Sequence, residues 1–439
     1  MEDQIQLGNH SHIRVGVFDV DGVLRSKLIS KEKLIKVQTD GFGFCDVIFG
    51  WDVTDSCYSA IKDFGYPDEK VTLDQSTLRF IPWQDNRPFI LGDFNHNKTG
   101  LSKACPRSLL KRTLSSFKEM GIEVKVGMDI EWFNFKKESY SSRKRNFKLP
   151  TPISQGMFGY SSSKLNENQN YVEHLLSGLE AFDIPLEGLH TETGDGVYEA
   201  AIAYDSALKF ADKAALFKSS VKEIANIHGI VPSFMAKWNP SLPGCSGHLH
   251  ISLWKEGTNL FYEEGGLSEL AKQFIAGQLK ALPEVLPMYA PTVNSYKRYV
   301  PGSWSAVTVS WGHENRTTAI RVVDAIKPED YRVEMRVPGA DANPYLSISA
   351  ALASGLFGIE NKLDLRVKAT KGDEYQSSNN EKLPDFLAAA TAQMNSSELA
   401  EQLFGKDFIS HFVMTREWEW NEFKKAVTDW ELKRYFEVI

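Results

Sequence analysis

Apolar and polar residues alternate along Ile13–Val20 and again along Val23–Ile29, with Asp21-Gly22 between them, so the chain is predicted to open with a β-hairpin. Short strand-like runs follow at Cys45–Phe49, Val71–Leu73, Leu78–Phe80 and Phe89–Leu91, broken by Pro, Gly and Asp. Beyond Pro106 the period lengthens. Segments Arg107–Met120, Tyr171–Phe182, Asp205–His228, Leu267–Leu286 and Pro344–Lys362 carry helical patterns. The aromatic-rich stretch Asp407–Glu437 reads as helical too, with Trp418, Trp420, Trp430 and Phe436 as core or subunit-contact residues. Strands lie between these helices without a strict strand-helix-strand rhythm, which indicates an α+β fold class. The change of pattern around residues 95–105 divides the chain into 1–102 and 103–439.

Composition narrows the function classes. With 439 residues, 42% of them apolar and 24% charged, the chain can build two or more cores without covalent staples. Its four cysteines show no C-x-x-C spacing, and Met1-Glu-Asp-Gln lacks the basic-then-apolar plan of a secretory signal, so a reducing, cytoplasmic setting is expected. A formal charge of −7 argues against a nucleic-acid binder held by phosphate contacts. The dense basic cluster Arg143-Lys-Arg145 reads as a solvated loop. The weakly polar stretch Leu346–Ile359 falls short of the roughly 18 to 20 residues that a bilayer span needs.

The chemistry concentrates in strand-like settings. In Gly244-Cys-Ser-Gly-His-Leu-His-Ile-Ser-Leu253, His248 and His250 are two apart and point one way from a strand. Asp129 and Glu131 share a strand face in the same manner, while Glu192 and Glu199 bracket a Gly-Asp-Gly turn that folds them towards one centre. Several acids with an imidazole suit Mg²⁺ or Mn²⁺ better than a thiolate-loving metal. Arg298, Arg316, Arg321, Arg332 and Arg336 flank the acids, and Glu334 lies between the last two. Guanidinium groups grip carboxylate and phosphate bidentately, so metal plus arginine points to phosphoryl transfer with ATP and a carboxylate substrate.

In order along nearly the whole chain, these motifs together with Asn294–Gly302, Asn315–Arg321 and Glu334–Leu346 resemble the glutamine synthetase family, bacterial-type branch. The resemblance implies a small N-terminal β-grasp domain at 1–102, a catalytic α+β domain at 103–439, and a homo-oligomer of stacked rings, a dodecamer, with active sites between subunits. It implies ATP-dependent activation of the glutamate γ-carboxylate to an acyl phosphate, then attack by ammonia or an organic amine. Position by position, Glu131, Glu192 and Glu199 match the ligands of one divalent ion, and Asp129, His248 and Glu334 those of another. Asp129 stands where the family pattern usually has Glu. His250, Ser252 and Arg321, with Arg332 beside them, match nucleotide-binding positions. Gly244, Arg298 and Arg336 match the glutamate pocket, and Arg316 a residue that stabilises the transferring phosphoryl group.

Two departures bear on the acceptor. Trp304 stands where the family's flap carries a glutamate that handles ammonium, and Phe49-Gly-Trp-Asp-Val-Thr-Asp55 replaces the Asp-Gly-Ser-Ser latch, leaving Asp52 or Asp55 as its substitute. Without the flap carboxylate ammonium loses a counter-charge and a proton acceptor, whereas Trp304 offers a surface for the carbon body of a larger amine or a cation–π contact to hold it. Ammonia, an organic amine and a catalytically silent homologue all remain open at this level. Val17-Phe-Asp-Val-Asp-Gly-Val-Leu24 also resembles the nucleophile motif of haloacid-dehalogenase phosphatases. That fold needs a helix after the motif, and here a strand follows.

Overall fold

In the computed structural model, which describes residues 9–61, 65–94, 100–140, 150–377 and 379–439, the opening alternation forms strands β1 (His12–Phe18) and β2 (Leu24–Ser30). They pair antiparallel as expected, but the connection is a five-residue loop, 19–23, rather than a tight turn. Gly22 alone in that loop has positive φ. The Asp19 carboxylate organises the loop by accepting the amides of Asp21 and Val23 and the Arg25 Nε–H. The antiparallel strand after the motif removes the phosphatase reading.

Three further strands, β3 (Phe42–Cys45), β4 (Asp68–Ile81) and β5 (Arg87–Phe94), complete a five-stranded sheet in the order β2-β1-β5-β4-β3, antiparallel except for β1 with β5. The expected strand Cys45–Phe49 is instead the end of β3 and one 3₁₀ turn, and the two runs at Val71–Leu73 and Leu78–Phe80 are one bulged strand. A helix at Lys31–Asp40, which the sequence reading left out, packs beside this sheet through Leu34 and Val37. Ser30 caps it and Gly41 ends it, where a Cβ would lie 2.5 Å from the Val71 carbonyl oxygen.

The second sheet holds nine strands: β6 (Glu123–Lys136), β7 (Leu186–Thr191), β8 (Val197–Ser206), β9 (Ile230–Ser233), β10 (Gly247–Lys255), β11 (Thr258–Asn259) and, after a small ribbon of β12 (Tyr262–Glu263) and β13 (Gly266–Leu267), the strands β14 (Trp311–His313), β15 (Ile320–Val323) and β16 (Arg332–Met335). Its main path runs β14-β15-β16-β10-β6-β8-β7. One face is apolar: Val126, Met128, Ile130 and Trp132 on β6 and Leu249, Ile251 and Leu253 on β10 are all buried. Helices Pro106–Glu119 and Ala207–Ile227 cover that side, and the Trp132 ring meets Phe217 edge-on at 5.5 Å. The period of two leaves Asp129, Glu131, His248 and His250 on the opposite face.

The helices Gln169–Ala181, Glu269–Val285 and Pro344–Glu360 follow the predicted pattern, the last buried along most of its length. No helix among the described residues is long and apolar enough to cross a membrane. The C-terminal stretch breaks into Lys406–Phe423 and Asp429–Tyr435. Trp418 and Trp420 pack partly against the core, whereas Trp430 and Phe436 are exposed. The cluster Arg143-Lys-Arg145 lies outside the described residues.

Polar contacts join the two sheets' surroundings. Buried Arg107 donates to Asp74 and Asp93 on the first sheet and, through two bonds of 2.8 Å, to Asp212 on helix Ala207–Ile227. Buried Arg416 reaches Asp21 at 2.7 Å, and Asn343 Nδ2 donates to the Val20 carbonyl. Such paired charges tolerate burial only as a set, because losing one partner strands the others.

Candidate active site

Register builds the polar face of the large sheet. His248 on β10 is opposite Asp129 on β6, His250 is opposite Glu334 on β16, and Arg321 on β15 is opposite Glu334 as well. On the other side Glu131 is opposite Glu199 on β8, and Glu199 is opposite His190 on β7. Opposed residues share a face, so strands distant in sequence deliver one patch of acids, imidazoles and guanidinium groups. Glu192 joins it from the turn after β7, its Oε1 accepting the amide and hydroxyl of Thr193 at 2.9 Å.

The patch has two electrostatic halves. Towards β16, burial disfavours a charged Glu334, yet the Arg336 and Arg321 guanidinium groups outweigh it and hold the carboxyl down at about 2. Arg336 and Arg321 each donate to Glu334, and Arg321 is gripped from its other side by Glu314. Burial also works against Asp129, but the 3.0 Å bond from His250 Nε2 and the nearby Arg332 charge keep its carboxyl below the ordinary value. Arg332 Nε in turn donates to His250 Nδ1 at 3.1 Å, which fixes the ring's orientation. Burial, with Arg336 adding to it, drives His248 well below the usual imidazole value, leaving it neutral, the form that binds metals.

Towards β8 the acids outnumber their partners. Burial, reinforced by Glu192, pushes Glu131 up to about 7 against the 2.7 Å amide bond from Ser246. Burial and the charges of Glu131, Asp129, Glu192 and Glu334 push Glu199 up to about 9. His190 sits between two of these acids, its Nδ1 and Nε2 each 3.7 Å from a carboxylate oxygen, of Glu192 and Glu199 respectively. One ligand atom from each of the three lies within 4.8 Å of the others. Glu192 Oε2 and His248 Nε2 are buried without a hydrogen-bond partner among the described residues. Surplus negative charge and unpartnered ligand atoms together fit divalent cations, and oxygen-rich ligation fits Mg²⁺ or Mn²⁺.

Two cavities meet at Asp129. The larger, about 680 Å³, holds the acid patch on its floor and Gly244, Arg316, Tyr160 and Trp304 around it. The other, about 390 Å³, runs along β10 past His250, Ser252 and Arg332 to Tyr204 and Trp254. Lys125 Nζ lies 3.9 Å from the Trp254 ring centroid, and Trp254 Nε1 donates to Ser252.

A family model described as glutamine synthetase, catalytic domain, matches residues 103–435. The chain belongs to the glutamine synthetase family. It is therefore an enzyme, a carbon–nitrogen ligase of that family. Type-1 glutamine synthetase 2 of Dictyostelium discoideum is 44% identical to it, over 100% of this chain and 86% of that protein. A glutamate–isopropylamine ligase of a Pseudomonas species is 34% identical, over 100% of this chain and 98% of that protein. A solved structure described as a GmaS/ADP complex superposes with a TM-score of 0.85 at 27% identity, covering 97% of each chain.

Most of the residues that the glutamine synthetase resemblance singled out come together. Asp129, Glu131, Glu192, Glu199, His248, Glu334, Gly244, Trp304, Arg316, Arg321 and Arg336 line the larger cavity; His250, Ser252 and Arg332 line the smaller. Arg298 lies beneath the cavity wall, buried, donating to Ser246 and to the Val337 carbonyl, with its Nε unpartnered among the described residues. Gly244 fits over it because a Cβ there would stand 2.7 Å from Arg298 Cγ and 2.4 Å from the Ala236 carbonyl oxygen. Asp52 is not in the cavity of its own chain: its carboxylate accepts from Trp418 Nε1 at 2.9 Å and from Thr54 and Ser56 within its own turn. His190 and Tyr160 were missed. His190 carried a readable signal, being two residues before Glu192, as His248 is before His250.

Proposed function

We propose that the protein uses ATP to join the γ-carboxylate of glutamate to the nitrogen of an amine, an organic amine in preference to ammonia. The observation that carries this reading is the single sheet face on which an acid surplus and a row of guanidinium groups adjoin a second, elongated cavity. Similarity to a relative named for an isopropylamine acceptor supports the organic amine, as does Trp304 at the flap position.

In this reading Glu131, Glu192 and Glu199 hold one divalent ion, with His190 beside them, and Asp129, His248 and Glu334 hold a second. Bound cations would neutralise the acids and draw charge from the ATP phosphates. His250, Ser252 and Arg332 line the nucleotide's course along β10, and Arg321 meets its phosphate end from the larger cavity. Arg336 and the Gly244 backbone receive the glutamate, with Arg298 fixing the wall behind them. The γ-carboxylate oxygen attacks the terminal phosphorus and ADP leaves; Arg316, exposed at the cavity rim, stabilises the charge spread over the moving phosphoryl group. The amine nitrogen then attacks the acyl carbon and phosphate departs, leaving the amide. We also read 1–102 as a β-grasp domain and 103–439 as the catalytic domain, a division supported by the family match beginning at residue 103. Stacked rings of subunits would let Asp52 or Asp55 of one copy approach the cavity of the next, as the family resemblance implies.

Phosphate release from ATP by the purified protein with Mg²⁺ tests the reading. It should require both glutamate and an amine for full rate. A glutamate-independent rate would remove it, and no rate with any amine would remove it and favour the silent homologue.

A further inference from the structure

Tyr160 and Trp304 are bulky residues in left-handed backbone, with φ of 57° and 59°. Large aromatics rarely adopt that conformation, and backbone held there against sterics gathers at functional sites. Both wall the larger cavity while staying mostly exposed, at 75% and 61%, whereas Glu334 and Glu131 on its floor are 1% and 9% exposed. Neighbouring structure fixes each backbone: the Tyr160 amide donates to the Thr191 carbonyl at 2.7 Å, and Tyr375 donates to the carbonyl of Ser305, next to Trp304. The Tyr160 ring lies over His190, centroids 4.4 Å apart. Two aromatic faces are thus presented to solvent at the mouth of a charged site.

We propose that these two side chains form the acceptor gate and select primary monoamines with an uncharged, apolar body; this rests on the ligase reading above. The amine nitrogen enters as the free base towards the acid floor, forms the new bond to the acyl carbon, and loses a proton as phosphate leaves. The carbon body stays at the mouth between Trp304 and Tyr160. The carboxylates that act on Tyr160, chiefly Glu192 and Glu199, would in this reading be taken up by the divalent ion, which leaves a second ammonium at the rings facing the positive charge of Arg316 at the rim. Exposed aromatic faces attract a cation only weakly. The gate therefore favours butylamine over 1,3-diaminopropane, which has the same length and a charged end.

The test measures kcat/KM for ammonium, methylamine, ethylamine, propylamine, butylamine and 1,3-diaminopropane at saturating ATP and glutamate. Values should climb about two- to fourfold per methylene as the body is partly buried, and the diamine should fall at least about tenfold below butylamine, because its second charge is left unpaired. Trp304→Ala and Tyr160→Ala should each flatten the climb, and Trp304→Phe should keep most of it. Preference for ammonium, equal use of the diamine, or an unchanged slope in both alanine variants overturns the gate. Formation of 5-oxoproline from glutamate and ATP without any amine reports the acyl phosphate separately: its presence with a flat amine series refutes the gate alone, and its absence together with no amide from any amine refutes the ligase reading too.

Discussion

Loading the acid patch with a divalent cation should expel protons. In the metal-free protein Glu199 titrates near 9 and Glu131 near 7, both above the ordinary glutamate value of 4.5. At pH 7.5 Glu199 is then almost fully protonated and Glu131 about a quarter so; a cation that needs both ionised releases roughly one proton, rising towards two at pH 6 and falling below about half a proton at pH 9.5. Stability moves with the same sign. Folded values raised above the unfolded ones give a contribution that is full below about 4.5 and is lost as pH rises through 7 and then 9. Between pH 6 and 8 the metal-free chain should lose on the order of 4 kcal/mol from these two acids, and saturating Mg²⁺ should recover it. Titration calorimetry of Mg²⁺ in buffers of different ionisation enthalpy counts the protons, and thermal melts across pH with and without Mg²⁺ report stability. Zero proton release from pH 6 to 7.5, with melts that respond to pH identically in both conditions, would refute the assignment of surplus charge to this patch.

Three substitutions probe other links. Arg107→Ala strands Asp74, Asp93 and Asp212 and should cost about 3 to 5 kcal/mol in denaturant unfolding; a loss under about 1 kcal/mol would show the network to be dispensable. Gly244→Ala drives a Cβ to 2.4 Å from the Ala236 carbonyl oxygen, so the KM for glutamate should rise at least about tenfold while nucleotide affinity holds; an unchanged KM would place glutamate elsewhere. Glu314→Gln loosens one of the two grips on Arg321 and should raise the KM for ATP several-fold with little change in that for glutamate; no change would free Arg321 from a nucleotide role.

How far the sequence carried depends on how much of each feature is local. The pairs Asp129/Glu131 and His248/His250 were readable because a strand's period of two is local, and the structure adds the cross-strand register that sets His248 against Asp129. The helix Lys31–Asp40 was not readable, since Leu34 and Val37 are the apolar residues it buries and charged residues fill most of its other positions. The hairpin was legible but its loop was not: Asp21-Gly22 suggested a tight turn, whereas the buried Asp19 carboxylate, two residues earlier, sets the conformation. Tyr160 comes from a segment without periodicity, and its place over His190 is purely tertiary. Trp304 was visible only as a departure from a family pattern; its left-handed backbone and exposed ring appear in three dimensions.

The most direct test of the ligase reading is to supply glutamate with isotopically labelled oxygen in its γ-carboxylate, together with ATP, Mg²⁺ and the best amine, and to weigh the phosphate released. Passage through an acyl phosphate transfers one labelled oxygen from the carboxylate to each phosphate formed. That is the expected result; phosphate released in step with amide but free of label would contradict activation of glutamate by ATP at this site.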